Sequence, residues 1–406
     1  MKIEIISIGS ELLRGKVRNA NAEFLCRILL REGWETSRVT VVADRLDEIA
    51  QEIRRALLRS DIVIMTGGLG PTSDDVTKSA VAEALESEIA YDEDLARTLQ
   101  RAWKESCLVK EYAYIPKISS PILNEVGKAP GLLSFYKGKI LAALPGVPVE
   151  MEAMFQTSVL PLLQDEMEGK AKKTIRDFYF FQLGETEINE WTMEHLAADD
   201  LEIGIYPFFG RATLTVAAPD QKRLDSIENK LRKDFKDFLY STADERIEKA
   251  LHDLLVYKKI SLALAESCTG GSMAARISAI AGASQYFTGS FVAYSNEMKM
   301  SALDVSAKSL ANFGAVSEQA AKEMALGALE KSNADVVLSV TGIAGPSGGT
   351  ALKPIGTVYA AIAEKKTKNL SVFSLPKISQ KTRHSLIEYT ATYLFGILWQ
   401  KFQQEH

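Results

Sequence analysis

Two adjacent side chains in the second half of the chain, Ser267 and Cys268, have the chemistry of a nucleophile. They lie in the stretch A-E-S-C-T-G-G, between an apolar run that predicts a β-strand and a helical pattern that begins at Ser272. The N-terminus of a helix stabilises the negative charge that develops during nucleophilic attack. Each residue also has a structural interpretation, because serine commonly caps helices and free cysteine is commonly buried. The residue types alone leave the choice open.

A candidate base for Ser267 stands in the stretch Y-S-N-E-M-K, from Tyr294 to Lys299. None of the four histidines stands in a recognisable motif. A lysine that is removed from water loses its proton near neutral pH and can then serve as the base. Tyr294 and Lys299 directly follow a predicted strand, and a glycine-rich stretch, Thr341–Thr350, follows another. These groups are therefore expected to face Ser267 across the carboxyl edge of one sheet.

The N-terminal part of the chain carries a different pattern, T-G-G-L-G-P-T-S-D-D, from Thr66 to Asp75. Its three glycines allow the backbone to approach a phosphate group closely. An anionic ligand beside Asp74 and Asp75 requires a divalent cation to offset the repulsion. Glu11 and Asp44 follow the first two predicted strands and are expected at the same sheet edge. Such oxygen-only ligands suit Mg²⁺, Mn²⁺ or Co²⁺ better than zinc.

The two aspartates also have a structural alternative. Thr72 and Ser73 can cap the following helix, which would place Asp74 and Asp75 at its start, where they favour the helix dipole. This stretch therefore predicts either a metal-assisted phosphate site or a capped helix.

These residues depend for their positions on apolar runs that alternate with helical periodicities, the pattern of an α/β protein. In the first 165 residues, strands are predicted at Ile3–Ile8, Thr36–Val42, Asp61–Met65 and Ile140–Leu144, and helices at Asn21–Glu32, Leu46–Arg59 and Thr77–Glu86. In the last block, strands are predicted at Ile260–Ala265, Gly289–Ala293, Asp335–Val340 and Gly356–Ala363. The charged segment Glu166–Lys173 is interpreted as a linker. The predicted domains are residues 1–168, 174–242 and 245–406.

Composition narrows the class of protein. The 406 residues include 48 Lys and Arg against 53 Asp and Glu, a net charge of −5, so nucleic-acid binding over a broad surface is not expected. Three widely spaced cysteines exclude a disulfide framework and favour a reducing, cytoplasmic environment. No apolar stretch is long enough for a membrane span, and no signal peptide is visible.

The N-terminal motifs resemble those of the CinA family, whose first domain is similar to the molybdopterin-binding fold of the MoaB/MogA proteins. The matching stretches are Ile8–Gly15, Asn21, Thr66–Asp75, Ala129–Gly131 and Leu144–Met151. The resemblance implies a metal-dependent pyrophosphatase that cleaves ADP-ribose to AMP and ribose 5-phosphate. It implies ligand binding by Gly67, Gly68, Gly70, Thr72 and Asn21, and metal binding by Asp74, Asp75, Glu11 and Asp44. The chain departs from the family at Gly127-Lys128, where Gly-Thr is usual, and Lys128 either contacts a phosphate or is merely exposed.

The C-terminal motifs resemble the second domain of the same family, the PncC-type nicotinamide-mononucleotide (NMN) amidohydrolases. The matching stretches are Ala265–Gly271, Tyr294–Lys299, Gly314–Glu318, Ser339–Pro346 and Lys353–Tyr359. The resemblance implies hydrolysis of NMN to nicotinate mononucleotide and ammonia, without a cofactor. It implies Ser267 as nucleophile, Lys299 as base, Tyr294 and Thr341 as orienting or oxyanion groups, and Arg383 on the substrate phosphate.

The middle segment resembles the small KH-type α+β domain of the family, and the family implies a homodimer. The leading hypothesis is a bifunctional cytoplasmic hydrolase of pyridine-nucleotide recycling that acts on NMN and ADP-ribose. Two alternatives involve no catalysis: a protein that binds a molybdopterin-type ligand, and a partner protein linked to competence or DNA damage.

Overall fold

A computed structural model of the chain describes residues 1–102, 106–167, 173–196, 200–208, 210–377 and 382–404. The chain forms two compact units, residues 1–175 and 176–406. Most of the predicted linker and two predicted domain ends, residues 168 and 406, lie outside the described residues. Within the described ranges, no helix is long and apolar enough to cross a membrane.

The first unit is built on a six-stranded sheet with the order β2-β1-β3-β8-β7-β6, and β4 and β5 form a separate antiparallel pair. The strands are β1 (Ile3–Ile8), β2 (Thr36–Val42), β3 (Ile62–Thr66), β4 (Ile89–Tyr91), β5 (Tyr114–Pro116), β6 (Ser119–Ile122), β7 (Gly131–Tyr136) and β8 (Lys139–Leu144). The four predicted strands are confirmed and run parallel, whereas β7 and β6 continue the sheet antiparallel. The sheet is therefore mixed. Its central strands β1, β3 and β8 are nearly continuous apolar runs because helices cover both faces.

The helices of this unit are α1 (Ser10–Leu13), α2 (Ala20–Arg31), α3 (Leu46–Arg59), α4 (Thr77–Ala84), α5 (Glu93–Ala102), α6 (Ser106–Tyr112), α7 (Pro148–Met154) and α8 (Leu160–Glu166). A π-helical turn, Phe155–Val159, joins α7 to α8. One apolar core lies between the sheet and α3 to α6, and a second lies between the sheet and α2, α7 and α8. This three-layer arrangement leaves the carboxyl ends of β1, β2, β3 and β8 as the edge where loops meet.

The second unit contains two sheets. A four-stranded sheet with the order β10-β11-β9-β12 contains β9 (Thr174–Phe181), β10 (Glu202–Phe208), β11 (Arg211–Ala218) and β12 (Leu239–Ser241), with α9 (Glu185–His195) and α10 (Gln221–Asp234). A five-stranded sheet with the order β14-β13-β15-β16-β17 contains β13 (Leu262–Glu266), β14 (Phe287–Val292), β15 (Val336–Gly342), β16 (Val358–Glu364) and β17 (Leu370–Ser374). Strands β13 to β15 are parallel, and β16 and β17 are antiparallel.

The helices around the larger sheet are α11 (Ile247–Lys258), α12 (Ser272–Ser278), α13 (Asn296–Leu303), α14 (Ala307–Phe313), α15 (Glu318–Ser332) and α16 (Arg383–Gln404). Helix α16 also joins the two sheets, because Phe181 of β9 packs so closely on Gly396 that no Cβ fits there. Gln182 donates a hydrogen bond to the Tyr393 hydroxyl at 2.7 Å. The four-stranded sheet therefore shares an apolar core with the larger sheet.

Candidate active sites

Ser267 directly follows the buried strand β13 and begins a tight turn into α12. Its backbone N–H donates to Val340 of the neighbouring strand β15 at 3.0 Å, and its carbonyl accepts from the Gly270 N–H at 3.0 Å. Gly270 and Gly271 have φ values of +61° and +95°, a region that disfavours side chains. The two glycines therefore allow the turn that holds Ser267 at the carboxyl edge of the sheet.

Lys299 contacts Ser267 from helix α13. Its Nζ lies 2.9 Å from Ser267 Oγ, and it donates to the carbonyl oxygens of Ala293 at 2.9 Å and Tyr294 at 3.1 Å. The side chain is only 1% exposed, and this burial lowers the pKa of Lys299 below its ordinary value. All three partners are neutral oxygens. A neutral amine can donate to the two carbonyls and accept the proton of the serine hydroxyl.

Cys268, the next residue along the chain, lies in an apolar environment and not beside the polar groups that surround Ser267. Its side chain packs in the apolar core with Met273 and Leu338. Burial raises the pKa of the Cys268 thiol to about 12, so the thiolate is scarce at neutral pH. Of the two candidate nucleophiles, Ser267 is the one in contact with a base, and Cys268 has the buried position of a structural cysteine.

The structure brings Arg383 and Tyr294 together. Arg383 is the first residue of α16 and donates to the Tyr294 hydroxyl at 2.6 Å and to the carbonyl of Gly345 at 2.9 Å. The Tyr294 side chain is 58% exposed, so this pair lies at the surface of the site. Arg383 is thereby held beside the glycine-rich loop that follows β15.

Thr341 is placed differently. It is buried at the end of β15, and its hydroxyl donates to the Ala315 carbonyl at 2.8 Å, which ties β15 to the turn before α15. Because its proton is engaged there, an oxyanion role would require the hydroxyl to rotate. That role stays a prediction.

Glu266 was given no role by sequence reasoning, although it lies in the A-E-S-C-T-G-G stretch. The carboxylate is completely buried and accepts hydrogen bonds from the backbone N–H groups of Gly271, Met273 and Ala274, at 2.9 to 3.1 Å. The Ser290 hydroxyl donates a fourth bond at 3.0 Å. Glu266 therefore binds the turn after Ser267 to the strands on which the turn rests.

A cavity of about 520 Å³ in the first unit collects most of the predicted N-terminal site residues. The residues that line it include Glu11, Asp44, Gly67, Gly68, Gly70, Asp74 and Asp75. Two predicted residues do not line the cavity but contact residues that do: Asn21 donates to the carbonyl of Gly146 at 2.8 Å, and Thr72 contacts both aspartates. The predicted residues at the carboxyl edge of the sheet therefore line a cavity.

The capping interpretation of Asp74 and Asp75 is wrong. Helix α4 begins at Thr77, its N-cap is Val76, and no side chain caps it. The aspartates lie in the preceding loop, where the Thr72 hydroxyl lies 2.5 Å from an oxygen of each. This contact holds the pKa of Asp74 below its usual range. Thr72 therefore brings the two carboxylates together at the cavity wall and does not cap the helix.

Glycines make room for acidic side chains around this cavity. The Asp75 carboxylate packs against Gly70, and the Glu150 carboxylate packs against Gly127, so that a Cβ at either glycine would overlap the acid. Glu150 also lines the cavity, although sequence reasoning gave it no role. The signal that would have found it is its place in the Leu144–Met151 motif after β8.

The carboxylates suit a divalent cation in chemistry, because they offer only oxygen. Within the described residues, however, no three acidic, histidine or cysteine side chains converge as a ready set of ligands. Asp44 already accepts a bond from the Ser10 N–H at 2.7 Å. The arrangement fits an ion such as Mg²⁺. Proteins commonly bind this ion through one or two carboxylates, and water and phosphate oxygens complete its coordination shell. Asp74 and Asp75 are the pair that would hold it.

Comparison with protein families defines the class of protein. Residues 4–165 match the model described as "probable molybdopterin binding domain", and residues 244–398 match the CinA C-terminal domain. The chain is thus an α/β protein in which a probable molybdopterin binding domain precedes a CinA C-terminal domain.

The chain belongs to the CinA family. It is 39% identical over 375 residues to a CinA-like protein of Kosmotoga olearia, covering 89% of this chain and 90% of the relative. It is 37% identical over 401 residues to a CinA-like protein of Thermotoga neapolitana, covering 95% and 96%. The crystal structure of a CinA protein of unknown function from Thermoplasma acidophilum aligns with a TM-score of 0.38 at 38% identity, covering 40% of this chain and 97% of that one.

Proposed function

We propose that the chain is a bifunctional hydrolase of pyridine-nucleotide recycling, and that its second unit hydrolyses NMN to nicotinate mononucleotide and ammonia. The contact between Ser267 and a buried Lys299 carries this proposal. A lysine that is buried without a carboxylate partner is poised as a base, and Ser267 is the group it would deprotonate.

In the proposed reaction, Ser267 Oγ attacks the carbonyl carbon of the carboxamide while Lys299 accepts the hydroxyl proton. Lys299 then returns this proton to the leaving nitrogen, the C–N bond breaks, ammonia departs and an acyl-enzyme remains. Water then attacks the ester, giving its proton to Lys299, and Ser267 regains a proton as the carboxylate product leaves. Arg383 is proposed to bind the substrate phosphate, for which its charge and its place beside Tyr294 are suited.

For the first unit we propose metal-dependent cleavage of ADP-ribose to AMP and ribose 5-phosphate. The support is the cavity that joins the Gly67–Gly70 loop to Asp74 and Asp75. A bound Mg²⁺, Mn²⁺ or Co²⁺ would supply polarisation of a phosphoryl oxygen and an activated water there. The glycine loop would bring the backbone close to the diphosphate, and Thr72 would keep the aspartates in place.

The match to a molybdopterin-type domain favours one alternative for this unit, the binding of a pterin nucleotide without turnover. Purified protein that retains a fluorescent pterin and does not cleave ADP-ribose would support the alternative. Product formation from ADP-ribose with added Mg²⁺ or Co²⁺ would reject it.

The two proposed activities are tested by incubating the full chain with NMN and with ADP-ribose separately, with and without EDTA. Ser267→Ala is expected to abolish ammonia release and to leave ADP-ribose cleavage intact. EDTA is expected to have the opposite effect. If Ser267→Ala retains its deamidase rate, the assigned nucleophile is wrong, and if one treatment removes both activities, the sites are not separate.

A further inference from the structure

One basic side chain stands among acids at the N-terminal cavity. Among the described residues that line the cavity, Lys128 is the single lysine or arginine, and the acids are Glu11, Asp44, Asp74, Asp75 and Glu150. A second cation nearby, Lys78, is not among the residues that line the cavity, and its Nζ donates to the Glu111 carbonyl at 2.8 Å. An anionic ligand that enters this cavity therefore meets five carboxylates and one lysine.

The loop that carries Lys128 is held in place by Asn124. The Asn124 Oδ1 accepts from the N–H groups of Val126 and Gly127 at 3.2 and 2.7 Å, and its Nδ2 donates to the Ala129 carbonyl at 3.0 Å. The same Nδ2 donates to Glu150 at 2.6 Å. Both sides of Lys128 are thus fixed by one side chain, so little loop entropy is lost when Lys128 binds a ligand.

We infer that Lys128 is a binding residue for the diphosphate group of the nucleotide that occupies this cavity. The inference rests on the proposed function of the first unit. A doubly charged diphosphate is repelled by the carboxylates, and Lys128 supplies an attraction that does not depend on a divalent ion. The lysine thereby favours ligands whose anionic group reaches the rim of the cavity over neutral ones.

The test measures ADP-ribose binding to the full chain by isothermal titration calorimetry in EDTA, where turnover is not expected. Lys128→Met is expected to weaken binding about tenfold, the effect of losing one hydrogen bond to a charged group. Lys128→Arg keeps the charge and is expected to stay within about threefold of wild type. The difference in ADP-ribose affinity between Lys128→Met and wild type is expected to become smaller at high salt, because Lys128 is exposed and salt screens its charge.

Lys137→Met serves as the matched control. Lys137 is an exposed lysine in the turn between β7 and β8, about 20 Å from the cavity edge by the length of a six-residue strand. This variant is expected to bind ADP-ribose like wild type. An equal loss of ADP-ribose affinity in Lys128→Met and Lys137→Met would show a general effect of net charge and overturn the inference.

The outcomes separate this inference from the proposed function. Unchanged binding in Lys128→Met, or no measurable wild-type binding in EDTA, overturns the role of Lys128, whereas the proposed function stands if Mg²⁺ still gives AMP. A wild-type chain that binds ADP-ribose through Lys128 but never cleaves it overturns the proposed function and retains the inference.

Discussion

Replacing Lys299 by methionine is the most direct test of the proposed deamidase site. Methionine keeps an unbranched, flexible side chain that ends one atom earlier than lysine, and it lacks the nitrogen that lies 2.9 Å from Ser267 Oγ. A positioned general base contributes about 10²- to 10⁴-fold to a rate, so the kcat for NMN hydrolysis is expected to fall by that factor, about 3 to 5 kcal/mol in the barrier. Ammonia release in a coupled assay measures the change.

The same substitution has a calculable effect on stability. The carbonyls of Ala293 and Tyr294 each lose a donor, and a buried acceptor left without a partner costs about 1 to 3 kcal/mol. Ser267→Ala is the matched control, because it abolishes the nucleophile but leaves both carbonyl bonds to Lys299 intact. It is expected to lower the free energy of unfolding by about 1 kcal/mol or less.

The lowered pKa of Lys299 also sets the direction of the pH dependence. The wild-type kcat/KM is expected to rise with pH through this pKa, below the ordinary 10.5, because the base is the neutral amine. The unfolded chain keeps the ordinary pKa and so binds a proton that the folded chain has released. Wild-type stability relative to Lys299→Met therefore rises with pH between the two pKa values. Retention of more than about a tenth of wild-type kcat by Lys299→Met would refute the role of Lys299 as the base.

Three further predictions concern Cys268 and Glu266 of the second unit and Gly70 of the first. Cys268→Ala is expected to keep the deamidase activity, and iodoacetamide should not inactivate the wild type, because the buried thiol has a pKa of about 12; stoichiometric inactivation would contradict this. Glu266→Gln replaces one of the two carboxylate oxygens by an NH2 donor, so at least one of the groups that donate to Glu266 loses its acceptor; urea unfolding should show a loss of about 2 kcal/mol in the free energy of unfolding, and kcat for NMN should fall. Gly70→Ala should displace the Asp75 carboxylate, abolish ADP-ribose cleavage and leave NMN hydrolysis unchanged. ADP-ribose cleavage at the wild-type rate in this variant would show that the position of Asp75 is not needed.

Local sequence pattern predicted most of the elements near the sites. The strands Ile3–Ile8 and Thr36–Val42 and the helix Leu46–Arg59 have the predicted bounds, because their apolar periodicity is a property of neighbouring residues. The antiparallel β6 and β7 were missed. Ser119 and Pro121 interrupt β6, so this strand does not present the apolar run of a buried parallel strand.

The residue types and motifs alone determined the family, the α/β class and the list of groups able to do chemistry. Tertiary structure decided between the alternatives that remained: Ser267 contacts Lys299 across 32 positions of sequence, whereas Cys268 is buried in the core. It also placed Lys128 among carboxylates that come from distant loops. The reason is physical, because hydrogen bonding, desolvation and charge depend on neighbours in space, and the chain specifies those neighbours only when it folds.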